Sequence, residues 1–166
     1  MSEFYCYVFY LFFKEFVFKC CDDGMTWKGA RNAVQQLNSD IGDGWFEAPA
    51  NVGYAVIGLL WGEGDFKKSM TTAINCGDDT DCTGATVGAT LGILYGTAGI
   101  PEDWKAHIGD DIVTVSIAKG NNGKHVPKTC TELTDRVVAV APSVLYANSR
   151  ALGSRFYCEL GDEDDI

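Results

Sequence analysis

Apolar residues recur at helical spacing through most of the chain. Trp27, Ala30, Ala33, Val34 and Leu37 fall on one face of a helix, and Thr26 stands where an N-cap belongs. Ala50 to Leu60 is apolar on most faces, with Val52, Ala55, Val56, Leu59 and Leu60 as the expected buried stripe, and it stops at Gly62-Glu63-Gly64. Asp65 then caps a short predicted helix from Phe66 to Ile74, which Asn75-Cys76-Gly77 breaks. A further helix is predicted over residues 82–95. Pro101 at a first helical position, followed by Glu102 and Asp103 in the first turn, starts another. After His107 the pattern loosens. Asp111–Ala118 (DIVTVSIA) alternates as a strand would, and a continuing helix fits it as well. Gly42-Asp43-Gly44 and Gly120-Asn121-Asn122-Gly123 read as turns. Thr129 or Thr131 caps a last helix. It is predicted to end near Val140, because Pro142 removes a donor and pushes Ala141 out of the α region. No internal repeat is present. The pattern predicts an all-α fold, with a little irregular or strand structure after residue 110.

Two apolar runs raise the question of a membrane. Phe4 to Cys21 is almost wholly aromatic and aliphatic, but its uncharged part ends at Lys14 after ten residues, too short to span a bilayer. Glu3 precedes it and no basic residue does, which makes it a poor signal peptide. An amphipathic or fully buried helix is expected there. Its Phe9, Phe12, Phe13 and Phe16 are expected in the core, or exposed and adhesive in a partial bundle. The second run, Thr83 to Ile100, holds five glycines and four threonines and is flanked by acids, which predicts a buried helix of a soluble protein. No membrane partner is expected.

The chain has 166 residues, the size of one domain. Its 13 Lys and Arg against 23 Asp and Glu leave a net charge of −10. That argues against nucleic acid as a partner, which needs a basic face, and against an anionic membrane surface. Five of the acids lie in ELGDEDDI, residues 159–166, so residues 146–166 are expected to form an acidic, solvated tail after a domain of residues 1–145. The seven cysteines are scattered and form no CxxC pair, which excludes zinc-ribbon and thioredoxin sites. They are too sparse for a disulfide scaffold, so reduced thiols and a cytoplasmic location are expected.

The candidate chemistry lies in Asn75-Cys76-Gly77-Asp78-Asp79-Thr80-Asp81-Cys82-Thr83-Gly84. Three carboxylates fall within four residues, between one helix end and the next helix start. Such carboxylates repel each other unless a cation or a helix N-terminus offsets them. Asp79 and Asp81, two apart in a turn, can face one hard divalent ion, with Thr80 and Thr83 as further oxygen donors. A cap with spare surface acids is the plainer reading. An EF-hand loop starting at Asp79 fails because its twelfth position is Thr90 rather than a bidentate glutamate. Asp79-Thr80-Asp81-Cys82-Thr83 matches a phosphotransferase DxDxT signature, whose nucleophile should end a buried strand; the lead-in from Met70 to Gly77 reads instead as a helix end. No GxxxxGK[ST] phosphate loop occurs. His107 and His125 are lone histidines, expected at the surface.

The order of these segments resembles a known family. A helix containing Asn51-Val52-Gly53-Tyr54-Ala55 leads to Gly62-Glu63-Gly64-Asp65-Phe66. The Asn75-to-Gly84 segment follows, then Leu91-Gly92-Ile93-Leu94-Tyr95-Gly96 and Gly99-Ile100-Pro101-Glu102-Asp103-Trp104. This set is similar to the ADP-ribosylglycohydrolase family, which includes the dinitrogenase-reductase-activating glycohydrolases and the ADP-ribosyl-acceptor hydrolases. The resemblance is strongest over residues 45–105 and weaker over 126–143.

The resemblance implies part of a compact all-α helical bundle with two Mg²⁺ or Mn²⁺ ions at its centre. One ligand cluster in the family is an N-terminal Thr-Asp-Asp; the other is a D-x-D-T. It implies that Asp79 and Asp81 are catalytic and metal-ligating, with Asp81 the more central. It places Cys82 where many members have a ligating threonine, although cysteine is a poor ligand for a hard ion. Glu47, Asn51, Asn75 and Gly77 are the candidates for substrate contact, and Tyr54 could face the ribose as well; the plainer readings are a surface helix-start acid at Glu47, packing and capping at Asn51 and Tyr54, and loop structure at Asn75 and Gly77. The implied reaction is hydrolysis of an N- or O-glycosidic bond at the ribose C1 of an ADP-ribosylated protein or a related small molecule. One departure stands out: no Thr-Asp-Asp occurs upstream, and Cys21-Asp22-Asp23-Gly24 is not its equivalent. The chain is therefore expected to correspond to a C-terminal part and to form at most half of the binuclear site. Its exposed apolar surface would suit a homodimer. The alternative expectations are a non-catalytic remnant that binds ADP-ribose or a partner and, behind it, a DxDxT phosphatase.

Overall fold

The computed structural model describes residues 3–42, 44, 46–113 and 125–152. They divide into two compact units, one within residues 1–105 and one within residues 106–166. The described residues form helices α1 (Glu3–Asp22), α2 (Trp27–Ile41), α3 (Ala48–Gly62), α4 (Phe66–Asn75), α5 (Thr80–Tyr95), α6 (Glu102–Ile108) and α7 (Cys130–Leu152), and a 3₁₀ turn at Thr97–Gly99. No strand is present among them, so the all-α expectation holds. The DxDxT phosphatase is excluded: helix α4, not a strand, leads into the aspartates.

The first unit is built around α3, which packs against α1, α2, α4 and α5. This central place explains its sequence. A helix touched on several sides cannot carry a single stripe of large side chains. Its buried positions are Ala50, Asn51, Gly53, Tyr54, Ala55, Ile57, Gly58 and Gly62. Of the expected stripe only Ala55 is buried; Val52, Val56, Leu59 and Leu60 are half-buried. Closeness to α4 decides the choice. A Cβ on Gly58 would lie 2.9 Å from the Ser69 carbonyl oxygen, and one on Gly62 would lie 2.6 Å from the Ser69 Cα. The glycines Gly84 and Gly88 of α5 make no such close approach. Those two glycines face the Ile74 and Met70 side chains at ordinary contact distance.

Capping follows the sequence. The Thr26 side chain accepts from the Gly29 N–H, and Asp65 Oδ1 accepts from the Lys68 N–H at 2.6 Å. On α5 the buried residues Thr83, Gly84, Val87 and Leu91 make one face, while Ile93 is 85% exposed and Leu94 63%. The Thr83–Ile100 run is thus not uniformly buried: one face of α5 lies against neighbours as far as Leu91, and the residues after it are largely exposed. No described helix is long and apolar enough to cross a membrane.

In the second unit Asp111 pairs with Thr129 in an isolated antiparallel bridge. The rest of the alternating stretch, residues 114–118, lies outside the described residues, as do Asp43 and the turn at 120–123. Thr129 is the cap of α7: its Oγ1 accepts from the Glu132 N–H at 3.0 Å. The helix does not end near Val140 but runs through Pro142 to Leu152. Proline removes one i→i−4 bond, and at an exposed position the freed carbonyl can be hydrated while the turns on either side persist. His107 and His125 are exposed, as expected.

Candidate metal-binding site

The chain leaves α4 at Cys76 and enters α5 at Thr80, so it must reverse within a few residues. It does so with two successive left-handed residues, Gly77 at φ +84° and Asp78 at φ +61°. Glycine adopts that region without penalty, and aspartate is among the few other residues that visit it. Asp78 is held there by its partners. Its Oδ2 accepts from Asn51 Nδ2 at 2.9 Å and its Oδ1 from the Phe46 N–H at 3.2 Å. From α2, Arg31 Nε donates to the Cys76 carbonyl oxygen at 2.8 Å.

Asp79 occupies the N-cap position of α5, yet its side chain makes no cap hydrogen bond. Its backbone N–H donates to Asn51 Oδ1 at 3.1 Å, and its carbonyl accepts from the buried Thr83 hydroxyl at 3.0 Å. The carboxylate is left to face Asp81 and Cys82, and one donor atom from each of the three lies within 4.8 Å of the others. Asp79 is half-buried; Asp81 and Cys82 are exposed. The group sits at the positive end of α5, which favours negative charge. The Cys82 thiol is pushed above its ordinary value, first by its hydrogen bond to Asp79, then by burial and the two negative carboxylates. Beside the cluster, between α3 and α5, lies a shallow pocket of about 230 Å³ with Val52, Ala55 and Thr86 among its walls and Asn51 and Asp79 at its polar end.

The donor chemistry suits a hard cation at two of the three positions. Asp79 and Asp81 supply carboxylate oxygens, the ligands Mg²⁺ and Mn²⁺ prefer. Cys82 supplies sulfur, which does not fit. Thr83 does not replace it readily, since its hydroxyl is turned back onto the Asp79 and Thr80 carbonyls.

Of the residues singled out in the sequence, Asn51, Gly77, Asp79, Asp81 and Cys82 come together. Glu47 joins through its backbone: its carbonyl accepts from Asn51 Nδ2 at 3.1 Å, while its carboxylate lies so close to Gly42 that a Cβ there would collide with it. Asn75 is exposed at the end of α4. Tyr54 is fully buried, its hydroxyl donating to Gln35 Oε1 at 3.1 Å, so it packs rather than faces a ribose. Sequence reasoning gave no role to Arg31, and it counted Asp78 only as one more acid. The signal for Asp78 was its position after Gly77 in a very short interhelical loop. No local signal marks Arg31, 45 residues from its acceptor.

The comparisons with known proteins agree with the motif order. The profile of the ADP-ribosylglycohydrolase family matches residues 14–142. ADP-ribosylarginine hydrolase Tri1 of Pseudomonas putida (strain GB-1) is 30% identical over 101 residues, which is 61% of this chain and 23% of that protein. The chain thus spans about a quarter of the length of this curated relative. No solved structure matches the chain.

Proposed function

The chain belongs to the ADP-ribosylglycohydrolase family, and from this premise we propose that it carries half of a metal-dependent glycosidic hydrolase site acting on ADP-ribosylated protein. The observation that supports this most is the convergence of the Asp79, Asp81 and Cys82 donor atoms at the start of α5. Asp79 and Asp81 hold Mg²⁺ or Mn²⁺, with Asp81 the more central. An ion held by Asp79 and Asp81 would supply Lewis-acid chemistry to ribose hydroxyls and to a water at the scissile C1 bond. The chain's own contribution is geometric. Asn51, Asp78 and Thr83 fix the backbone on either side of Asp79, and α5 supplies a positive end. Val52 and Ala55 give the adjoining pocket an apolar wall. Glu47, Asn75 and Gly77 border the same loop and are the candidates for substrate contact. The likeness to an ADP-ribosylarginine hydrolase points to the N-glycosidic bond between ADP-ribose and an arginine side chain. The reduced, scattered cysteines suit the cytoplasm.

The lack of any Thr-Asp-Asp triplet in the sequence favours a second reading, in which the chain binds a cation but does not hydrolyse by itself. One experiment separates the two. Mn²⁺ is titrated into the full chain by electron paramagnetic resonance, beside Asp79→Ala and Asp81→Ala, and ADP-ribose release is then measured from an arginine-ADP-ribosylated protein. Saturable binding lost in both variants, with release, is the expected result. Binding without release selects the second reading. No binding by the unaltered chain overturns the metal site.

A further inference from the structure

We propose that Asn51 is a positioning residue: it holds the Asp78-Asp79 turn so that the Asp79 carboxylate faces Asp81 instead of capping its own helix. This inference rests on the half-site reading above.

The protein contains its own comparison. Asp65 and Asp79 occupy the same N-cap position, on α4 and α5. Asp65 has extended backbone, φ −75° and ψ 124°, and caps in the usual way, accepting from the Lys68 N–H. Asp79 has nearly the same φ, −82°, but its ψ is 73°, and its side chain accepts from no helix N–H. What differs is the residue before and the residue behind. Asp78 is left-handed, and Asn51 holds both it and Asp79.

Asn51 is suited to this. It is only 7% exposed, and it sits on α3, the helix that four others pack against. Its amide orientation follows from its partners. Oδ1 faces an N–H donor, while Nδ2 faces two acceptors, the Glu47 carbonyl and the Asp78 carboxylate. The opposite orientation would set an oxygen against both acceptors. Asp78, with both oxygens already accepting hydrogen bonds, is an anchor rather than a third ligand. A ligand pair fixed by packed neighbours on a rigid helix binds better than one left on a free loop.

The test uses the full chain, Asn51→Ala, and the charge-conserving exchange of Asn51→Asp with Asp78→Asn. The exchange restores the bond between positions 51 and 78 with donor and acceptor reversed and keeps an acceptor for the Asp79 N–H; the Glu47 carbonyl loses its side-chain donor but keeps the Asn51 backbone N–H, and asparagine tolerates the positive φ at position 78. Three quantities are read: Mn²⁺ affinity by electron paramagnetic resonance, hydrogen exchange of the Asp79 amide in the metal-free chain by NMR, and helix content by circular dichroism. Asn51→Ala is expected to keep its helices, to weaken Mn²⁺ binding at least tenfold and to speed Asp79 exchange at least tenfold. The exchanged pair is expected to recover part of both. Unchanged Mn²⁺ affinity or unchanged Asp79 exchange in Asn51→Ala overturns the proposal, and so does a lack of recovery in the exchanged pair. If the unaltered chain binds no Mn²⁺, the half-site reading falls. Exchange then decides for Asn51 alone: fast in Asn51→Ala and slow again in the pair keeps its hold on the turn, and any other pattern removes it.

Discussion

Gly58 of α3 and Ala73 of α4 meet with no room for a methyl group between them: a Cβ on Gly58 would lie 2.6 Å from the Ala73 Cβ. The Ser69 carbonyl is also in the way, and backbone cannot swing aside as a flexible side chain can. Gly58→Ala should therefore destabilise the chain by about 1–3 kcal/mol, the usual cost of overpacking. Gly92 on α5 is the opposite case, with nothing within 4 Å of its would-be Cβ. Gly92→Ala should stabilise by up to about 1 kcal/mol through helix propensity alone. Urea midpoints of the two variants should move in opposite directions. A Gly58 variant as stable as the unaltered chain would show that α3 and α4 can part.

Arg31 should matter beyond its own helix. Its bond to the Cys76 carbonyl ties α2 to the loop, and Cys76 is fully buried. Arg31→Leu removes a charge-assisted bond worth about 1.5–3 kcal/mol. The expected fall in melting temperature is about 3–12 °C for a chain of this size. Melting unchanged within error would mean that another donor takes over the carbonyl.

The sequence made legible what depends on local pattern. Helix α2 with its Thr26 cap, α4 with its Asp65 cap, and the start of α5 beside Asp79 and Asp81 are all set by nearby residues. The buried face of α3 was not legible. Hydrophobicity favours Val52 and Leu59, but the approach of Ser69 and Ala73 rewards Gly58 and Gly62, and that approach is tertiary. Pro142 misled because proline's cost depends on whether its freed carbonyl meets water or protein. The carboxylate cluster was visible as residue types. Its division into an anchor, Asp78, and two candidate ligands depends on Asn51, which is 27 residues distant from Asp78 in sequence.

Cys82 offers a gain-of-binding experiment. It presents sulfur beside Asp79 and Asp81, where a hard ion prefers oxygen. Cys82→Thr puts a hydroxyl at the same place in the first turn of α5. Mn²⁺ affinity should rise, by up to about tenfold, or about 1.4 kcal/mol. Equal or weaker binding would show that the third donor does not come from position 82.

Alkaline pH should unfold this protein earlier than its charge alone suggests. Cys76 is fully buried, and burial pushes its thiol from 9.0 to about 12. Burial likewise raises Tyr54 from 10.0 to about 12, and it raises Cys20. Below pH 9 these groups are protonated whether the chain is folded or not, and stability does not depend on them. Above pH 9 the unfolded chain releases the Cys76 proton while the folded chain retains it, so stability falls as pH rises toward about 12. The slope is at most about 1.4 kcal/mol per pH unit for each group. Urea midpoints at pH 7.5, 9 and 10 should show the decline, and Cys76→Ala should make it shallower between pH 9 and 10. The same slope in the variant and the unaltered chain would mean that the Cys76 thiol ionises in the folded protein as it does in water.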